Sequence, residues 1–157
     1  MDARLDFMAE PSTGKALKYL MSAGKALRDT ALPITTQELV SVRVSQINGC
    51  AACLDMHTKE ALAVGEDPVR LGLVAAWPEA TVFTDAERAA LELAEEGTRL
   101  ADAAHGVSDE VWANAAKHYD QQQLAALVLL VGFMNLANRM NIITRQPGGD
   151  YQPGKWH

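Results

Sequence analysis

The sequence predicts an all-α fold, a single-domain bundle of six to seven helices that assembles into an oligomer. Alanine and leucine dominate a composition that is 48% apolar and only 6% aromatic, the usage of packed helices and not of sheets. Apolar residues recur at helical spacing along most of the chain, and no segment alternates with the period of two that a half-buried strand requires. Cap residues, prolines and glycines punctuate those periodic stretches. With 157 residues, one hydrophobic core can form without covalent staples.

The elements follow in order. Ser12 is placed to cap a helix over 13–28, whose Ala16, Leu17, Leu20, Met21 and Leu27 share a face. After Pro33, "TTQE" at 35–38 reads as a capping box in which Thr35 reaches forward and Glu38 reaches back. The helix that follows carries Leu39, Val40, Val42, Val44 and Ile47 and stops at Asn48-Gly49. A third helix starts near Cys50 and runs to Val64. Asp67-Pro68 opens a short one to about Ala75.

"TDAE" at 84–87 is a second capping box, for a helix expected to reach Ala104. Ser108 begins a short helix to His118, and Asp120 caps the longest, over about 121–144. Residues 1–145 thus form the helical domain, with a redox core over about 35–65. The tail "QPGGDYQPGKWH" has proline and glycine without periodicity and reads as an extended or disordered arm over 146–157.

Charge and hydropathy exclude several classes. A formal charge of −6 and the absence of a basic run argue against a nucleic-acid surface. The acidic start "MDARLDFMAEP" does not resemble a signal peptide. The longest apolar run, "LAALVLLVGFM" at 124–134, makes roughly 16 Å of helix, about half a bilayer. A soluble, cytoplasmic protein without a membrane partner is expected. That last helix is nevertheless apolar on nearly every side and must be covered on every side, so a homo-oligomeric interface is expected along it.

Chemistry concentrates in "NGCAACLDMH", residues 48–57, which holds both cysteines and one of four histidines. At 3.6 residues per turn, Cys50, Cys53 and His57 lie within about 60° of one another on a helix. Cys50 and Cys53 are spaced to form a disulfide with modest adjustment. At a helix start, unpaired N–H groups lower a thiol's pKa, and a neighbouring imidazole can take the proton or stabilise the thiolate. Such a pair can donate two electrons by closing its own disulfide, with no cofactor.

Three alternatives stand beside this reading. Cys50, Cys53 and His57 supply three zinc ligands, but no second pair follows at finger-like spacing, and His105 and His118 fall on different elements. The cysteines could be packing residues. His57 could be a surface residue of a helix that also bears Asp55, Lys59 and Glu60.

The stretch "ELVSVRVSQINGCAACLDMHTKEA", 38–61, resembles the core of the AhpD-like alkylhydroperoxidases within the carboxymuconolactone decarboxylase superfamily. Their pattern is a Glu twelve residues before the first Cys, then Cys-x-x-Cys, then a His four after the second. It falls here on Glu38, Cys50, Cys53 and His57. The likeness extends more loosely through "FTDAERAALELAEEGTRL" and the last helix. It implies a trimer or hexamer of helical subunits acting as a cofactor-free and metal-free thiol peroxidase on alkyl hydroperoxides. Cys53 would attack the peroxide, Cys50 would resolve it, and His57 and Glu38 would relay protons. An external dithiol, a lipoyl domain or a thioredoxin-like protein, would restore the pair. The chain departs from the best-known members at Ala52, where they carry a second His. The other readings are a general disulfide oxidoreductase or redox sensor with slow peroxide chemistry, a lactone decarboxylase like the superfamily's namesake, and a binding module without catalysis. Arg43 sits near Glu38 on its helix and could pair with it or line the site, though a solvated ion pair is the commoner arrangement for such a residue.

Overall fold

A computed structural model describes every residue except Met1, Phe7, Met8, Ala104 and 155–157. Among the described residues the regular structure is entirely helical: α1 (Pro11–Arg28), α2 (Ile34–Asn48), α3 (Ala51–Ala63), α4 (Pro68–Leu73) with a 3₁₀ turn (Val74–Ala76), α5 (Asp85–Thr98), α6 (Asp109–His118) and α7 (Gln121–Ile143). The single-domain, all-α reading holds.

The centre of the bundle is α2, which packs against α3, α5 and α7. It separates two apolar clusters. Val40 and Val44 face Leu93, Leu127, Leu130 and Met134, together with both cysteines. Leu39 and Val42 face Leu71, Val74, Trp77, Phe83 and Leu91. Because both sides are covered, α2 also buries Gln37, Glu38, Ser41 and Ser45. Burial of unpaired polar groups is costly, and these are paired: Ser41 Oγ donates to the Gln37 carbonyl at 2.7 Å, and Gln37 Nε2 donates to the Leu32 carbonyl at 2.8 Å.

The caps decide the boundaries, and two expectations fail there. Helix α1 starts at Pro11, whose fixed φ suits the first turn, and Ser12 makes no cap. Helix α2 starts at Ile34 with Pro33 at the N-cap, so Thr35 lies inside the first turn and forms no capping box with Glu38. The 84–87 box is present, with Glu87 and Thr84 bonded reciprocally, and Asp120 with Gln123 forms another. Helix α5 ends at Thr98, short of the expected Ala104, which lies outside the described residues. The buried stripe Ala90, Leu91, Leu93, Ala94 and Thr98 has no continuation, since 99–102 are exposed and give a further turn nothing to pack.

By length and composition α7 could cross a membrane; within the fold it packs on α2, α3, α5 and α6. Its outer face stays apolar and exposed at Val128, Leu129, Leu136 and Ile143. Beyond α7 the chain reverses through Arg145, whose φ of 55° is left-handed, and returns as a strap along α3. Gly148 lies so close to α3 that a Cβ there would sit 2.5 Å from the Ala51 carbonyl oxygen.

Candidate active site

The site is built on the turn between α2 and α3. Asn48 ends α2, and Gly49 follows at φ 73°, the left-handed conformation that favours glycine. That turn delivers Cys50 as the N-cap of α3, with extended backbone, and its Sγ accepts the Cys53 N–H at 3.3 Å. Cys50 and Cys53 are joined as a disulfide with a Cα–Cα distance of 5.4 Å. Each is 1% exposed.

One helical turn beyond Cys53 lies His57. Its Nδ1 is 2.8 Å from Glu38 Oε2, across the α2–α3 interface. A carboxylate only accepts, so Nδ1 carries the shared proton, and in a neutral ring Nε2 presents a lone pair. That Nε2 is buried and has no hydrogen-bond partner among the described residues. The second Glu38 oxygen accepts from Arg28 at 2.6 Å. Glu38 is thus a buried carboxylate held between a guanidinium and an imidazole. Its failure to cap α2 is what leaves both of its oxygens available for that task.

Four further residues complete the site. Arg28 also reaches Glu60, 4.0 Å away, which is 3% exposed. Glu60 accepts from the Tyr151 hydroxyl and, at 2.9 Å, from the Gly154 N–H. Burial, reinforced by that carboxylate, pushes the Tyr151 phenol well above its ordinary pKa. Asn141, at the end of α7, donates its Nδ2 to Cys53 Sγ at 3.3 Å. Of these, only Glu60 belonged to a sequence expectation, as a surface charge. Asparagines at 135, 138 and 141 in a largely apolar helix were the one available signal for Asn141.

Asp55 and Lys59, which suggested a solvated face around His57, instead tie down the strap. Asp55 Oδ2 accepts the Gly149 and Tyr151 N–H groups at 2.6 and 2.9 Å, and Lys59 donates to the carbonyls of the same two residues. The Lys59 ammonium, then the Tyr151 and Gly149 amides, hold the Asp55 carboxyl down to about 2. Arg43 does not meet Glu38: it pairs with Glu95, which also accepts from Trp77 Nε1 at 2.7 Å. Among the described residues no three His, Cys, Asp or Glu side chains are arranged to hold a metal.

Fold and sulfur site together define an AhpD-like helical protein with a dithiol/disulfide centre. Residues 14–96 match the carboxymuconolactone decarboxylase family, and the chain belongs to it. The uncharacterized protein YdfG of Bacillus subtilis is 38% identical over 128 residues, covering 82% of this chain and 86% of its own. ATU0492 of Agrobacterium tumefaciens, a protein of unknown function with a provisional description as the antioxidant defence protein AhpD, superposes with a TM-score of 0.88 at 26% identity. That match covers 96% of this chain and all of the other. The debrominase Bmp8 has the same fold, with a TM-score of 0.74 at 15% identity over 88% of this chain and 75% of its own. A fold shared with a debrominase leaves activity to be argued from the site.

Proposed function

We propose that the protein is a cofactor-free thiol peroxidase that reduces alkyl hydroperoxides through Cys50 and Cys53. The observation that carries this reading is the coincidence of a closed Cys50–Cys53 disulfide with a Glu38–His57 pair on the same α2–α3 junction. In the reduced protein, His57 Nε2 takes the Cys53 proton, while Glu38 stabilises the imidazolium that results. The Cys53 thiolate attacks the terminal oxygen of ROOH; the O–O bond breaks, Cys53 becomes a sulfenic acid, and the alkoxide leaves as ROH with a proton from His57. Cys50 then displaces water from the sulfenic acid and closes the disulfide. An external dithiol, a lipoyl group or a thioredoxin-like protein, returns two electrons and two protons.

Cys53 is assigned the attack because Asn141 bonds its sulfur and His57 lies one helical turn beyond it, whereas Cys50 sits at the N-cap, suited to resolve. Ala52 stands where the best-known members carry a second His, so here the proton work falls to His57 and Glu38 alone. The exposed apolar face of α7 supports assembly into a homo-oligomer, a trimer or hexamer as in the family.

The test is stopped-flow oxidation of the reduced protein by alkyl hydroperoxides. Cys53→Ser abolishes turnover, and Cys50→Ser accumulates a trapped sulfenic acid. Equal turnover by both single variants would overturn the assignment. Faster reaction with protein disulfides than with any hydroperoxide would favour a disulfide oxidoreductase or redox sensor.

A further inference from the structure

We infer that Asn141 is a catalytic residue, the hydrogen-bond donor that holds the Cys53 thiolate and makes Cys53, not Cys50, the attacking sulfur. The inference deepens the peroxidase reading and rests on it for its catalytic meaning. Cys50 has the better position for a low pKa by helix electrostatics alone, because its sulfur accepts a first-turn N–H. Cys53 lies one turn in, is 1% exposed, and would be penalised as a buried anion without a donor. Asn141 Nδ2, 3.3 Å from its Sγ, is that donor.

The placement of Asn141 is built in. Asn138 is fully buried and accepts from Asn48 at 2.9 Å while donating to Ser45 at 3.2 Å. Asn135 accepts from the same Asn48 nitrogen at 3.1 Å and donates to Thr98. Spaced three apart, Asn135, Asn138 and Asn141 form a polar seam down the inner face of α7. It clamps the last residue of α2, two positions before Cys50, and ends at the Cys53 sulfur. Flanked mostly by apolar residues (Met134, Leu136, Ala137, Met140 and Ile142), such a seam has to be bonded where it is buried. Asn135 and Asn138 share the Asn48 donor and bond to α5 and α2, and Asn141 at the last position bonds to sulfur. A carbonyl oxygen turned toward a thiolate would repel it, so a Cys53 anion selects the N–H₂ orientation observed.

The experiment isolates each thiol. In a Cys50→Ser background, the pH dependence of Cys53 alkylation by iodoacetamide is compared for Asn141, Asn141→Leu and Asn141→Asp. Leu removes the donor at similar volume, and Asp replaces it with an acceptor. Removing a hydrogen bond to an anion is expected to raise the Cys53 titration by about one to two units in Asn141→Leu. The rise is larger in Asn141→Asp. Arg28, Glu38 and His57 remain in every variant. Cys50, measured in a Cys53→Ser background, keeps its titration. Oxidation of the Asn141→Leu single variant by alkyl hydroperoxide at pH 7 slows about 10- to 100-fold, in step with the lost thiolate. An unmoved Cys53 titration in both variants, or equal shifts at Cys50 and Cys53, overturns the inference. Alkylation involves no peroxide, so a shifted titration without peroxide turnover would instead count against the peroxidase reading.

Discussion

Replacing Glu38 by Gln separates the charge at this position from its shape. Glu38 accepts from Arg28 at 2.6 Å through one oxygen and meets His57 Nδ1 at 2.8 Å through the other. Arg28 has only donors, so it turns the Gln carbonyl oxygen toward itself and the Gln N–H₂ toward His57. Nδ1 must then accept, and the proton moves to Nε2. The atom that should take the Cys53 proton loses its lone pair. Inverting the tautomer of a general base costs about 10²- to 10⁴-fold in rate, and the same is expected for oxidation of reduced protein by alkyl hydroperoxide. Hydrogen bonds to a charged group are worth about 1.5–3 kcal/mol and neutral ones about 0.5–1.5 kcal/mol. The Arg28 bond stays charge-assisted and only the His57 bond becomes neutral, so the fold loses about 1–1.5 kcal/mol, or about 2–6 °C of Tm. Stopped-flow oxidation reads the rate, ¹⁵N shifts of His57 read the tautomer, and thermal unfolding reads the stability. Oxidation within threefold of the parent rate, in a folded variant with the inverted tautomer, would refute the proposed role of His57 as base.

Further predictions concern the strap and the outer face of α7. In Gly148→Ala a Cβ would meet the Ala51 carbonyl oxygen at 2.5 Å. Overpacking of about 1–3 kcal/mol converts to about 5- to 140-fold faster disulfide reduction by dithiothreitol, because the strap must shift; an unchanged rate would mean that it does not limit access. In the folded protein Lys59, then the strap amides, lower the Asp55 carboxyl from 3.8 to about 2, so its contribution to the fold is full above the higher value and is lost as pH falls through the lower. The Gly149 and Tyr151 amide signals should therefore titrate near pH 2, and a midpoint near 4 would contradict the docking. Leu129, 60% exposed on α7, is expected at a subunit interface. Sedimentation should give an oligomer that Leu129→Glu dissociates, and a 17.0 kDa monomer at all concentrations would exclude it.

How far the sequence disclosed this molecule differs between local and long-range features. Helices with a polar cap ahead of an apolar stripe were legible: Thr84, Ser108 and Asp120 stand where the structure has caps. Glu38 shows where local reading misleads. "TTQE" has the pattern of a capping box, yet Pro33 takes the N-cap and tertiary contacts recruit the carboxylate. The inner position of α2 was also hidden, since a helix buried on both sides carries no amphipathic stripe, and Ser41, Ser45 and Gln37 make it look half-exposed. The juxtaposition of Cys50, Cys53 and His57 was readable because one helix start carries all three. Arg28, Tyr151 and Asn141 come from α1, the strap and the end of α7, and no spacing rule joins residues that only the tertiary fold brings together.

The most direct measurement is stoichiometry. Reduced protein is mixed with limiting alkyl hydroperoxide, and the alcohol formed is counted against the Cys50–Cys53 disulfide formed, by mass analysis of alkylated peptides. The account predicts one alcohol per disulfide, with neither product in Cys53→Ser. Disulfide formation without alcohol, or alcohol formation that persists in Cys53→Ser, would contradict it.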